Sequence, residues 1–161
     1  MEDKKYEIVE DDFIIHEGRK LYRIKALRVF SAGGRYTISR GDLGGYIEEY
    51  HNLSQEGSCW IFKDDSKVYG NARIKDGAII FDKAEVFGNA VIKDIAQVNG
   101  GVVYGNATVK YNANVKEGAK IYGNAKIENN VVLYNSEIYG NAIIKGATTV
   151  RKKQRFMIML L

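Results

Sequence analysis

The chain contains no proline, one cysteine and two histidines among its 161 residues, and it has no apolar run long enough to cross a bilayer. An average chain of this length would hold roughly eight prolines. Proline removes a backbone donor, so its absence fits a fold in which nearly every strand pairs on both sides. The lone Cys59 excludes an internal disulfide framework and a cysteine-rich zinc site, and beside Trp60 it is expected in a core. Two histidines cannot supply a three-histidine metal site, so no metal is expected. The first residues, Met1 to Tyr6, are charged and lead into no apolar stretch of leader length. A cytoplasmic location with no transmembrane segment is therefore expected.

Charge of one sign is also scarce where it would matter most. Residues 1–60 carry 9 Lys/Arg against 11 Asp/Glu, residues 61–146 carry 11 against 9, and residues 147–161 carry 4 against none. The net charge of +4 thus sits in the tail around Arg151 to Arg155. A nearly neutral body argues against nucleic acid as a general partner.

What the chain does have is a rhythm. Bulky apolar residues recur every six positions from Phe62, Val68, Ile74 and Ile80 through to Val150, with slips to five between Val98 and Val103 and between Leu133 and Ile138. A small residue follows four positions after most of them, as in Ser66, Ala72, Ala78 and Ala84. A helix would need spacings of three and four; six describes a short strand, a corner and another short strand. Every third motif carries a signature: Tyr69-Gly70-Asn71-Ala72 returns at Phe87, Tyr104, Tyr122 and Tyr139, at steps of 18, 17, 18 and 17. Three motifs therefore close one triangular coil, and both slips fall before the same side. About five coils at roughly 4.8 Å each predict a column on the order of 24 Å long. Gly and Asn tolerate positive φ and suit the corner, where stacked asparagines can bond from coil to coil.

This pattern resembles the hexapeptide-repeat superfamily of left-handed parallel β-helices. The match covers about half the chain, although the glycine lies two positions after the aliphatic residue where the commonest pattern has it next. The upstream segments Leu21–Leu27, Gly41–Ile47, Asn52-Leu53-Ser54 and Cys59-Trp60 look like the YdcK-like, often prophage-encoded, branch. The resemblance implies an all-β, left-handed parallel β-helix. It implies an activity only by analogy, because members are commonly labelled transferases on fold alone.

Residues 6–40 alternate apolar and polar, with turn signals at Glu17-Gly18 and Gly33-Gly34, and predict an antiparallel cap over the exposed first coil. The expected division is a cap over 1–60, a β-helix over 61–150 and a basic, apolar capping tail over 151–161.

Candidate sites follow from residue type. An acyltransferase on this scaffold needs a histidine base to activate the acceptor, and only His51 or His16 can serve; both precede the repeat. The glycine-rich stretch Arg40-Gly41-Asp42-Leu43-Gly44-Gly45-Tyr46, with Arg35 before it, is a candidate anion cradle that lacks the P-loop Lys-Ser/Thr. The row Tyr69, Phe87, Tyr104, Tyr122 and Tyr139 reads as an interface patch, or as a ladder of rings stacked on one another. A second row, Lys75, Lys93, Lys110, Glu128 and Lys145, reads as a solvated face. The leading expectation is a non-catalytic, homo-oligomeric binding protein for a protein partner or a small anionic, nucleotide-like ligand. Sequestering a host defence signal is a special case of it, and no cofactor is expected. The alternative is acyl transfer from acetyl-CoA or another acyl-CoA.

Overall fold

A computed structural model describes residues 3–151 and the strand Arg155–Phe156. Apart from one 3-10 turn at Tyr50–Asn52, its regular structure is β. Five strands precede the regular repeats: β1 (Tyr6–His16), β2 (Arg19–Ala26), β3 (Phe30–Ala32), β4 (Tyr36–Ile38) and β5 (Leu43–Ile47). After them, strands of two or three residues stack in parallel on three faces, forming a β-solenoid of about six turns.

Each face repeats one register. The aromatic face stacks Lys67–Val68, Glu85–Val86, Val102–Val103, Lys120–Ile121, Glu137–Ile138 and Arg155–Phe156. The second face runs from Arg73–Ile74 to Ile143–Ile144, and the third from Trp60–Ile61 to Thr149–Val150. The predicted inward residues are buried: Val68, Val86, Val103, Ile121 and Ile138 all have no exposed surface. Burying one such side chain contributes about 1.5–3 kcal/mol, so the stack of inward aliphatics is the main source of cohesion. The two slips fall at Gly100 and Asn135, both with positive φ, where the third face turns into the aromatic face. Register on the other corners survives.

The stack begins earlier than the signature motifs do. β5 pairs in parallel with Lys67–Val68, Leu53 bridges Ile74, and Trp60–Ile61 pairs with Ile79–Ile80, which together make one more turn than the repeat count predicted. On its other edge β5 pairs antiparallel with β2, and β2 with β1. The antiparallel cap and the solenoid therefore share a continuous nine-stranded sheet. The β3–β4 hairpin lies over the third face, with Tyr36 edge-on to Phe62 at 5.5 Å and Phe30 edge-on to Trp60 at 5.3 Å. The capping role expected of the tail falls largely on residues outside those described; the strand Arg155–Phe156 adds a further parallel rung beside Glu137–Ile138.

Where strands run into corners, many hydrogen bonds pass from the N–H of one coil to a carbonyl of the next. Tyr69 donates to Val86 O at 3.0 Å, Phe87 to Val103 O at 3.0 Å, and Tyr104 to Ile121 O at 2.9 Å. The matching carbonyls of the first turn have no preceding coil to donate to them, and an unpaired buried carbonyl is costly. The cap supplies the donors. Lys5 Nζ donates to Cys59 O at 2.7 Å, and the Tyr6 hydroxyl to Leu53 O at 2.5 Å. Arg23 Nη1 donates to Gly44 O at 3.0 Å, and Asn52 Nδ2 to Ala72 O at 2.9 Å. Lys5 is fully buried, so desolvation holds its ammonium below the usual lysine range. Burial likewise pushes up the adjacent Cys59 thiol, whose Sγ lies 3.3 Å from Lys5 Nζ.

Candidate functional site

The five rings of the signature form one continuous column. Their centroids are separated by 5.0, 4.8, 4.9 and 5.3 Å along Tyr69, Phe87, Tyr104, Tyr122 and Tyr139, with interplanar angles between 1° and 10°. Stacked along the axis, the rings present their electropositive edges outward. The neighbouring corner is equally regular. Asn71 Nδ2 donates to Asn89 Oδ1 at 3.1 Å, and the chain of amides continues through Asn106 and Asn124 to Asn141. Glycine is required here: Gly105 has φ 66°, and a Cβ on it would lie 2.8 Å from Gly123 N. The sequence pattern thus gave both readings of the aromatic row a footing, and the rings do support one another.

The β1–β2 hairpin folds over the N-terminal end of this column. Leu21, Tyr46 and Tyr69 bury one another, with Ile14 and Phe87 packed against them. His16 meets the Tyr69 ring edge-on at 5.3 Å, and its Nε2 lies 2.7 Å from Glu85 Oε1. The Tyr69 hydroxyl donates to the same carboxylate oxygen. Burial first, and that carboxylate second, raise the Tyr69 phenol well above its ordinary range. Beside the hairpin, Glu17, Arg19, Phe87, Val102, Tyr104 and Lys120 bound an open groove of about 620 Å³. Arg19 is held there by Glu48 at 2.8 Å.

The glycine-rich segment is placed as a packing joint. Gly44 and Gly45 are buried in β5, where a Cβ would lie 2.6 Å from Ile61 O and 2.5 Å from Ser66 O respectively. The N–H groups of Gly41, Asp42 and Tyr46 donate to Ala26 O, Ser39 O and Ser66 O. The Tyr46 hydroxyl accepts from Arg23 Nη2 at 2.5 Å. Arg40 is exposed just before β5, and Arg35 is exposed in the β3–β4 turn. The expected cradle residues therefore divide between a buried joint of Gly44, Gly45 and Tyr46 and the exposed Arg35, Arg40, Gly41 and Asp42. His51 sits in the 3-10 turn with Nε2 2.7 Å from Gly70 O; a carbonyl only accepts, so that nitrogen carries a proton. Both histidines are thus engaged in closing the first signature corner, His16 through Glu85 and His51 through Gly70.

The second face carries the lysine row expected to be solvated, with further cations beside it. Arg73, Lys75, Lys126 and Lys145 are exposed, and Lys93 and Lys110 are half-buried. Lys110 pairs with Glu128 at 3.7 Å, and among the described residues the other five cations have no carboxylate partner. Neither cap hairpin crosses this face. The body is nearly neutral overall, yet the acids that balance it lie largely at corners: Asp76 Oδ2 accepts from Asp94 N, and Asp94 Oδ2 from Tyr111 N. No protein-family model and no curated protein matches the chain.

Proposed function

We propose that this solenoid is a non-catalytic binding module whose basic face takes an anionic ligand. The observation that carries the reading is the row of aligned cations on an uncovered sheet, five of the six without a carboxylate partner among the described residues, held on rungs about 4.8 Å apart by the rigid stack. A binder without turnover acts by retention, so sequestration of an anionic signal is its natural use. Assembly into a homo-oligomer or with a protein partner is a second reading. It is favoured by the half-buried edges of Tyr104, Tyr122 and Tyr139, and by Phe13 and Ile15, which are 44% and 66% exposed on the outer side of the hairpin. Membership of the hexapeptide-repeat superfamily, YdcK-like branch, belongs to the same proposal and is supported by the three-sided six-residue rhythm.

Acyl transfer from a CoA thioester is the competing chemistry. It would require His16 or His51 to give up a structural contact and act as a base. Native mass spectrometry of the purified protein, with denaturing extraction of whatever it retains, separates the two. A retained anion, with no turnover of acetyl-CoA, is the expected result. Turnover that disappears in a His16→Ala/His51→Ala double variant would sink the binding reading.

A further inference from the structure

The basic face ends at its N-terminal rung in a cavity of about 320 Å³, bounded by Tyr50, His51, Ser54, Gln55, Arg73 and Lys75. That volume lies at the small end of ligand pockets, which run from about 300 to 1,000 Å³. Tyr50 presents a ring that is 45% exposed and firmly placed. Its hydroxyl accepts from Ile8 N at 3.1 Å, and its ring packs 5.8 Å from that of Tyr6. Lys4 Nζ stands 5.6 Å from the same ring.

From this corner the cations climb the face in register. Lys75 donates its backbone N–H to Ile92 O and Lys93 to Val109 O, so Lys75, Lys93 and Lys110 occupy successive rungs. The run then stops, because the fourth rung carries Glu128, already paired with Lys110. A flat aromatic ring at the foot of a track three lysines long does not suit an extended polyanion, which would meet a carboxylate at the next step. It suits a ligand with one planar base and a short chain of phosphates. We infer that this corner binds a nucleoside polyphosphate, with the base against Tyr50 and the phosphates along Arg73, Lys75, Lys93 and Lys110. The inference rests on the anion-binding reading above and narrows it to one class of ligand.

Titration calorimetry on the full chain with ATP, inorganic tripolyphosphate and a thymidine oligonucleotide tests it. ATP should bind about fivefold or more tightly than tripolyphosphate, the margin that stacking on one aromatic ring provides. Tyr50→Leu should remove that margin and leave tripolyphosphate binding unchanged, and Tyr50→Phe should restore it. Lys75→Gln/Lys93→Gln should weaken both ligands by about tenfold or more. If ATP and tripolyphosphate bind equally to the wild-type chain, the base contact is refuted while anion binding stands. If neither binds, both readings fall. An oligonucleotide that outcompetes ATP by more than about tenfold would overturn the short-ligand assignment.

Discussion

Asn52 shows how much a single side chain can hold at the start of a solenoid. It is fully buried, its Oδ1 accepts from Glu48 N and Glu49 N at 3.1 and 2.9 Å, and its Nδ2 donates to Gly70 O and Ala72 O at 3.1 and 2.9 Å. Asn52→Ala strands Glu48 N, Glu49 N and Ala72 O together, while Gly70 O keeps His51, and a loss of about 2–4 kcal/mol is expected. At about 2–4 °C per kcal/mol for a chain of this size, thermal melting should reveal it clearly. Tyr69 supplies a second residue-scale outcome. The fold keeps its phenol protonated to higher pH than the unfolded chain does. Its contribution is therefore complete below pH about 10 and is lost as the pH climbs further. Urea midpoints should fall above pH about 10, and Tyr69→Phe, which keeps the ring in the column, should make that fall less steep.

At the scale of elements, the repeating strands were legible in the sequence because each encodes its own place: a bulky residue inward, a small one four later, a glycine at the tight corner. The slips at Gly100 and Asn135 were legible for the same reason, since a one-residue loss is tolerable only at a corner. The first turn was not legible. Leu43–Ile47, Leu53 and Trp60–Ile61 lie on solenoid rungs without the Gly-Asn-Ala signature, because their N-terminal neighbour is a cap and not another coil. Gly44 and Gly45 were open to an anion-cradle reading because glycine permits both backbone exposure and tight packing, and sequence does not say which. Lys5 was invisible for a deeper reason. A lysine in a charged opening segment gives no sign that its ammonium ends up buried against a carbonyl 54 positions away. The cations of the second face were in view, yet a row of lysines reads as solvated surface until the caps are seen to leave that face uncovered.

For the whole molecule, cohesion is local: each coil touches the one before and the one after, so stability is close to a sum over neighbours. Removing residues 106–123 joins Gly105 directly to Asn124 and restores a Tyr-Gly-Asn-Ala corner with one coil fewer. Such a variant is expected to keep its β circular-dichroism spectrum and to melt at a lower temperature. Removing residues 106–114, half that length, breaks the three-sided register and should abolish cooperative melting. The outcome separates an additive column from one whose parts are collectively required.

The polar side chains that close the first turn also make the molecule a terminator. One end of the column is sealed by an ammonium, a phenol, a guanidinium and an amide that no neighbouring copy reproduces, so a second molecule cannot dock its own rungs beneath the first. Filament growth by end-to-end stacking of identical copies is therefore forbidden at that end. The same polar plug that satisfies the first rung's carbonyls gives the solenoid a definite length.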